Sequence, residues 1–290
     1  MSPAEPLAVS SPAIWNQRQQ RAIKLLARQP QAAPLLEFLL DLLDLQRNVF
    51  VWTGQPAWPA DVLAPDSEYP RLRLERLPWE LLARPFEKFL ADVGPRATVL
   101  LAELARAIQS KGPDLRRRLL ETWLGRQELD SLAGEIGTDA RALEFFPRAF
   151  MQPVAEWFST RLGAVPEAWK EAFCPHCGRL PQLALLRDET VIKGRHLLEC
   201  SLCRVLWPFR RAVCPHCGEA EPGKIQFHAS EEHPHVRVGE CQTCRAYLKT
   251  IDLRKDGLAV PLVEEIATVE LDLWADERGL WKLQPNVLGL

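Results

Sequence analysis

The sequence has 290 residues, of which 47% are hydrophobic and 26% charged, a balance typical of a globular protein with a sizeable core. A net charge of -2 excludes a global basic field that would attract nucleic acid or an acidic membrane. The first 20 residues lack the basic and apolar segments of a secretory signal. The longest Leu-rich run, residues 34–45, contains three acidic residues, which excludes a membrane span, so we expect a cytoplasmic protein.

The N-terminal half is predicted to be helical. A tail rich in Ser, Pro and Ala covers residues 1–13, and a helical domain is expected over residues 14–170. Apolar residues between positions 35 and 43 recur on one helical face, and acidic residues lie on the other. Gly-Pro sequences separate further helices, which are predicted over 79–93, 96–110, 114–126, 128–136 and 139–162. The domain has neither Cys nor His, so it offers no obvious catalytic base and no soft metal ligand.

The pattern changes after Phe173. Alternating segments such as 196–199 and 236–238 predict short β-strands, and this region ends near residue 256. The last segment, residues 257–290, contains a predicted helix over 260–278. Because such a helix cannot bury its own apolar stripe, we expect it to pack back onto the helical body. The stripe consists of Leu262, Ile266, Val269 and Leu273.

All eight cysteines lie within 71 positions and form four Cys-x-x-Cys pairs. The pentapeptide Cys-Pro-His-Cys-Gly occurs at 174–178 and again at 214–218, and each copy is followed by another pair after 22 or 23 residues. Corresponding cysteines are shifted by 40 or 41 positions, and 10 residues separate the copies. The region therefore consists of two copies of one unit, a first ribbon over residues 171–212 and a second ribbon over residues 213–256.

The cysteine pattern favours metal binding. A Cys-x-x-Cys turn directs two sulfurs at one point, and two turns supply the four thiolates that suit zinc or mononuclear iron. In a reducing compartment this pattern favours metal over disulfides. The repeat predicts tandem sites, while a crossed pairing of the first turn with the third is the less favoured alternative. In tandem, one metal is held by Cys174, Cys177, Cys200 and Cys203, and the other by Cys214, Cys217, Cys241 and Cys244.

Residues around the cysteines refine this prediction. Gly178 and Gly218 follow the first turn of each ribbon, where a positive φ lets backbone amides approach sulfur. Eight sulfurs saturate two tetrahedral sites, so all six histidines are interpreted as solvated groups or neighbours of the ligands and not as ligands. His176 and His216 are expected at exposed turn tips, and His233 and His235 in the hairpin loop of the second ribbon. One interpretation is that the metals only stabilise a small β-module, whose folding depends on them. The alternative is that they also serve redox chemistry or metal delivery.

The net charge of the cysteine region makes nucleic-acid binding a less favoured interpretation than metal binding alone. Residues 174–254 contain 12 Lys and Arg against 9 Asp and Glu, a net charge of +3. Two divalent ions with four thiolates each would bring the module to about -1. Because a phosphate-binding surface should be clearly basic, a zinc-ribbon nucleic-acid module is only an alternative.

The cysteine motifs carry a family resemblance. The two Cys-Pro-His-Cys-Gly turns are joined by LLECSLCRVLWPFRRAV, and the second ribbon ends in GECQTCRAYLKT. These sequences resemble the FdhE-type formate dehydrogenase accessory proteins, and the helical half with its terminal helix is similar to their architecture. Family sites are rubredoxin-like, which implies iron. Arg204 and Arg245 stand where the second turn of a rubredoxin carries glycine, and zinc is the alternative.

The resemblance implies a cytoplasmic, non-catalytic maturation factor. Such proteins are required for respiratory formate dehydrogenases, molybdenum or tungsten enzymes exported by the twin-arginine route, and they engage the catalytic subunit before export. The predicted fold class is α+β, with a large helical domain, two tandem four-cysteine β-modules and a C-terminal helix. The competing hypotheses are a rubredoxin-like electron carrier with a helical docking domain and the nucleic-acid module.

Overall fold

A computed structural model of the chain describes residues 12–65 and 67–290. Within them, the N-terminal half is helical, as predicted. Its helices are α1 (Pro12–Leu26), α2 (Ala33–Thr53), α3 (Trp79–Val93), α4 (Val99–Ser110), α5 (Pro113–Leu124), α6 (Asp130–Ile136) and α7 (Ala140–Ser159). Residues 1–11 of the predicted tail lie outside the described residues. Among the described helices, none combines the length and apolar character that a bilayer crossing requires.

Helix boundaries follow local capping. Helix α3 has the predicted bounds, whereas α4 begins three residues later than predicted, because residues 94–96 form a 3-10 turn and Thr98 caps the helix. The Thr98 hydroxyl accepts a bond from the amide of Leu101, which satisfies one of the free N–H groups of the first turn. Asp139 caps α7 in the same way, with its carboxylate 2.8 Å from the amide of Ala142.

Helix α7 is the centre of the helical body. Most of its residues are buried, and it packs against α2, whose buried leucines form one continuous face. Phe150 in α7 contacts the ring of Phe86 in α3, with ring centroids 5.0 Å apart. The same hydrophobic core includes residues of the first ribbon, among them Cys174 and Trp207, which are fully buried. The helical body and the first ribbon therefore share one core.

The two ribbons form a single sheet. The first ribbon contributes β1 (Pro181–Arg187), β2 (Arg195–Cys200) and β3 (Leu206–Pro208), and the second contributes β4 (Ile225–Ala229), β5 (Val236–Cys241) and β6 (Ala246–Asp252). The strand order is β3-β2-β1-β6-β5-β4, and a short strand β7 (Trp281–Lys282) pairs with β6. Pairing within each ribbon is antiparallel. The ribbons join through the parallel pair β1–β6, in which Leu183 lies opposite Lys249 and Leu186 opposite Asp252.

The predicted C-terminal helix is present as two helices, α8 (Pro261–Ala267) and α9 (Val269–Asp276). The break lies at Thr268, beside the fully buried ammonium group of Lys249 from β6. Lys249 Nζ donates to the carbonyl of Glu265 at 2.6 Å and lies 3.3 Å from the carbonyl oxygen of Thr268. A single straight helix would use these carbonyls internally, so we attribute the break to this lysine.

The apolar stripe follows the same division. Leu262 and Ile266 of α8 are buried in the main core, whereas Leu273 of α9 is exposed. Only the first half of the predicted stripe therefore packs onto the helical body. Together, the helical half, the sheet with its four-cysteine clusters and the C-terminal helices confirm the predicted α+β fold class.

Candidate metal centres

The structure brings four thiols together in each ribbon. The first cluster, Cys174, Cys177, Cys200 and Cys203, is entirely buried in the main core. The Sγ atoms of Cys174 and Cys203 lie 3.5 Å apart, and those of Cys177 and Cys200 lie 3.3 Å apart. One turn of this cluster precedes β1 and the other joins β2 to β3, so the hairpin between them sets the distance between the two turns.

The second cluster consists of Cys214, Cys217, Cys241 and Cys244. Cys214 Sγ lies 3.7 Å from Cys244 Sγ, and Cys217 Sγ lies 3.7 Å from Cys241 Sγ. This cluster lies nearer the surface, because Cys217 is exposed and Cys244 only half-buried. In both clusters the sulfur contacts join cysteines of one ribbon, so the thiols group in tandem and not across the repeat.

The sulfur positions fit a tetrahedral metal. Four sulfurs at about 2.3 Å from one ion lie about 3.8 Å from one another, and the four ligand atoms of each cluster lie within 4.8 Å. A disulfide would need sulfur atoms about 2.05 Å apart, and the closest pair is at 3.3 Å. The donor sets therefore suit zinc or iron, and the geometry does not distinguish between them.

The turns have the backbone geometry that such a site requires. Gly178 and Gly218 have φ of +71° and +77°, as their position after the first turn predicts. The amide of each glycine donates to the carbonyl of the first cysteine of its turn. In the second turn of the first ribbon, the amides of Leu202 and Cys203 lie 3.4 Å from Cys200 Sγ, where they stabilise a thiolate.

Arginines replace glycine after the second turns and adopt the same conformation. Arg204 and Arg245 have φ of +62° and +63°, so the backbone takes the left-handed conformation here although the residue is not glycine. Each arginine is paired with the glutamate that precedes its turn, Arg204 with Glu199 at 3.4 Å and Arg245 with Glu240 at 2.6 Å. The sequence contains this signal, because Glu-Cys-x-x-Cys-Arg occurs in both ribbons, but the pairing emerges only from the fold.

The burial of the first cluster favours a bound cation on electrostatic grounds. Burial raises the pKa of the Cys174 and Cys203 thiols far above the usual value, because a bare thiolate in the core has lost its hydration. A bound cation would offset the charge of four thiolates there. Arg126, which the sequence did not single out, donates from its guanidinium to the carbonyl of Cys177 at 3.1 Å and brings positive charge from the helical body.

Comparisons with known proteins identify the family of this chain. A family model described as the C-terminal domain of FdhE matches residues 213–288. A protein described as an FdhE homolog from Aquifex aeolicus is 30% identical over 267 residues, which cover 90% of this chain and 90% of the relative. The chain belongs to the FdhE family.

Further similarities extend over nearly the whole chain. An FdhE homolog from Shewanella oneidensis is 25% identical over 97% of this chain and 90% of its own length. The crystal structure of the FdhE protein from Pseudomonas aeruginosa superimposes with a TM-score of 0.70 over 96% of both chains at 24% identity, which shows a common fold. The resemblance to FdhE-type accessory proteins inferred from the cysteine motifs is therefore confirmed.

In this FdhE family member the two turn histidines differ. His216 is exposed, as predicted, and its ring meets Trp281 edge to face with centroids 4.7 Å apart. His176 is only 4% exposed, so the prediction of an exposed turn was wrong at this position. Its Nδ1 lies 2.6 Å from the hydroxyl of Ser159 at the end of α7. The first turn is covered by the helical body, which the identical pentapeptides could not reveal.

Proposed function

We infer that this protein is a maturation factor for a respiratory formate dehydrogenase and that it binds the catalytic subunit of that enzyme in the cytoplasm. Membership of the FdhE family is the single observation that carries this proposal. The cysteine motifs, which resemble those of formate dehydrogenase accessory proteins, support the same role. In this proposal the protein acts by binding its partner and does not itself oxidise formate.

Each cluster is proposed to hold one metal ion through its four cysteines. The rubredoxin-like motifs favour iron, and zinc is the alternative. When bound, the ion supplies charge compensation and fixes the relative position of the two turns. A closed set of four sulfurs leaves no coordination position for a substrate, which supports a binding role over catalysis.

The different surroundings of the clusters suggest different roles. The first cluster would hold its ribbon to the helical body, since both share one core. The second cluster would form part of the contact with the dehydrogenase subunit, because Cys217 is exposed. Beside it lies Trp281, which is 40% exposed and donates from its indole to the carbonyl of Cys244 at 2.8 Å. Tryptophan is a common anchor of protein interfaces.

Metal analysis of paired serine variants tests the assignment of ligands. Wild-type protein should contain two ions per chain. Cys174→Ser with Cys177→Ser should retain about one, because the second cluster keeps all four of its thiolates. Loss or loosening of both ions would show instead that the ligand sets are crossed between the ribbons. A visible absorption spectrum of the same samples distinguishes coloured iron sites from colourless zinc sites.

Formate-dependent dye reduction in a deletion strain tests the function. Without this protein, dehydrogenase activity should be lost while the dehydrogenase gene is still transcribed. Wild-type protein should restore activity, and Cys214→Ala with Cys217→Ala should not. The control is Val191→Ala in the loop between β1 and β2, an exposed position at the end of this hairpin opposite its cysteine turns, which should restore activity fully. Full activity in the uncomplemented deletion strain would contradict the proposal.

A rubredoxin-like electron carrier is the second candidate. The exposure of Cys217 favours it, because an electron needs a short path from the metal to the partner. A carrier must show a reversible change in its visible spectrum when a reductant and then an oxidant are added. A zinc-loaded protein that still complements the deletion strain would exclude this role and leave the maturation factor.

A further inference from the structure

A third group of metal-ligating side chains lies outside the cysteine clusters. Glu232 and His233 belong to the loop between β4 and β5, and Glu270 belongs to the first turn of α9. One ligand atom of each residue lies within 4.8 Å of the others. Glu232 is exposed at the rim of this group, whereas His233 at its base is only 3% exposed.

His233 is held from both sides. Its Nε2 contacts a carboxylate oxygen of Glu270, and its Nδ1 lies 3.4 Å from the side-chain amide of Gln29. Gln29 follows α1 and is 9% exposed, and its Oε1 has no hydrogen-bond partner. An amide can present either its nitrogen or its oxygen to a neighbour. With Gln29 Oε1 facing the ring, Nδ1 carries the proton, and the lone pair of Nε2 is directed at the Glu270 carboxylate.

The charge of this group is unbalanced. Two carboxylates converge on one histidine, and among the described residues no Lys or Arg forms an ion pair with Glu232 or Glu270. The second carboxylate oxygen of Glu270 is buried and has no hydrogen-bond partner. The neighbouring acids of α8 differ, because Glu264 is paired with Arg21 and Glu265 with Lys282.

A second histidine–carboxylate pair of the same ribbon has a balanced charge, unlike the group at His233. His228 Nε2 lies 2.9 Å from Glu240, and that carboxylate is also paired with Arg245, so its charge is balanced without an ion. The group at His233 has one more carboxylate and no arginine. Two anionic oxygens and a neutral imidazole nitrogen are a donor set that suits first-row divalent metals.

We propose that Glu232, His233 and Glu270 bind a divalent transition-metal cation of the Mn²⁺, Fe²⁺ or Zn²⁺ class. Two carboxylates and one imidazole bind the ion, and Gln29 orients the imidazole. The site connects the β4–β5 loop to α9 and to the segment that follows α1. Binding therefore fixes the second ribbon against the C-terminal and N-terminal helices. Its ligands are harder than those of the cysteine clusters, so this site should bind Mn²⁺, an ion for which thiolates have little affinity.

Titration with Mn²⁺, followed by the loss of the free-ion EPR signal, tests the site. The full chain is used with both cysteine clusters loaded, and Mn²⁺ is the probe because it competes poorly for thiolates. One Mn²⁺ should bind per chain. Glu232→Gln removes one ligand at an exposed position, where the fold is not at risk, and should weaken binding at least about tenfold. His233→Ala should abolish binding, and Gln29→Leu should weaken it about tenfold.

The control variant changes a histidine that lies outside the proposed site. His228→Ala removes a histidine–carboxylate pair of the same ribbon and should leave Mn²⁺ affinity unchanged. Zn²⁺ should displace the bound Mn²⁺ and restore the free-ion signal. If wild type binds no Mn²⁺, or if Glu232→Gln and His233→Ala bind it as tightly as wild type, the proposal is wrong. Circular dichroism confirms that each variant is folded before its titration is interpreted.

Discussion

Thiol-specific reagents should distinguish the two clusters by rate. In the first cluster, Cys174, Cys200 and Cys203 are 0% exposed and Cys177 is 3% exposed. They lie in the core that the first ribbon shares with the helical body, so a reagent reaches them only when that core opens. Cys217 of the second cluster is already exposed. The first cluster should therefore react through an opening of the fold, and the second from the native state.

The size of the difference follows from the opening free energy. Local openings range from nearly zero at exposed segments to the global unfolding free energy in the core. A value of about 5 kcal/mol, the low end for a folded domain, leaves an open population of roughly 2 in 10,000. The first cluster should then react about 10³ to 10⁴ times more slowly than the second, with the same metal bound to both.

The assay is alkylation of metal-loaded protein, followed by mass spectrometry of the cysteine peptides over time. Peptides 214–217 and 241–244 should be modified first. Protein unfolded in guanidinium with chelator is the control, and there all eight thiols should react at similar rates. Equal rates in the native protein, or faster reaction of the first cluster, would refute the assignment of that cluster to the shared core.

Two stability predictions follow. Gly178→Ala should lower the free energy of unfolding, measured with denaturant, by more than Gly218→Ala does. Both glycines have a positive φ, a conformation that costs an alanine about 1–2 kcal/mol. At Gly178 the added Cβ would also lie 3.1 Å from the Pro70 ring and would displace the Arg126 guanidinium from the carbonyl of Cys177, whereas at Gly218 it would meet nothing within 4 Å. The lost hydrogen bond should make the difference about 1 kcal/mol. Lys249→Met should destabilise the fold by about 3 kcal/mol, because the buried carboxylates of Glu265 and Asp272 would then share one cation, Lys282, in place of two. The exposed Lys88→Met should cost less than about 0.5 kcal/mol, and equal effects of the two lysine variants would contradict the buried network.

The sequence by itself determined the local features of this protein. The spacing of four Cys-x-x-Cys pairs at shifts of 40 and 41 indicated two tandem units, and the structure groups the eight thiols in that way. The periodic apolar pattern gave the bounds of α3, and the glycines after the first turns have the positive φ that their position implies. These features depend on residues close together in sequence, whose conformations and ligand geometry follow from local chemistry.

Only the tertiary structure decided how these units meet. The two pentapeptides are identical, yet His176 is buried under α7 and His216 is exposed, because the cysteine turns of the first ribbon lie in the helical core whereas those of the second lie outside it. Lys249 interrupts the C-terminal helix from a strand 19 residues away, and β1 pairs with β6 across the repeat. Such contacts depend on which faces come together when the chain closes. The hydrophobic periodicity of a segment shows that one of its faces is apolar, but it does not identify the distant surface that packs against that face.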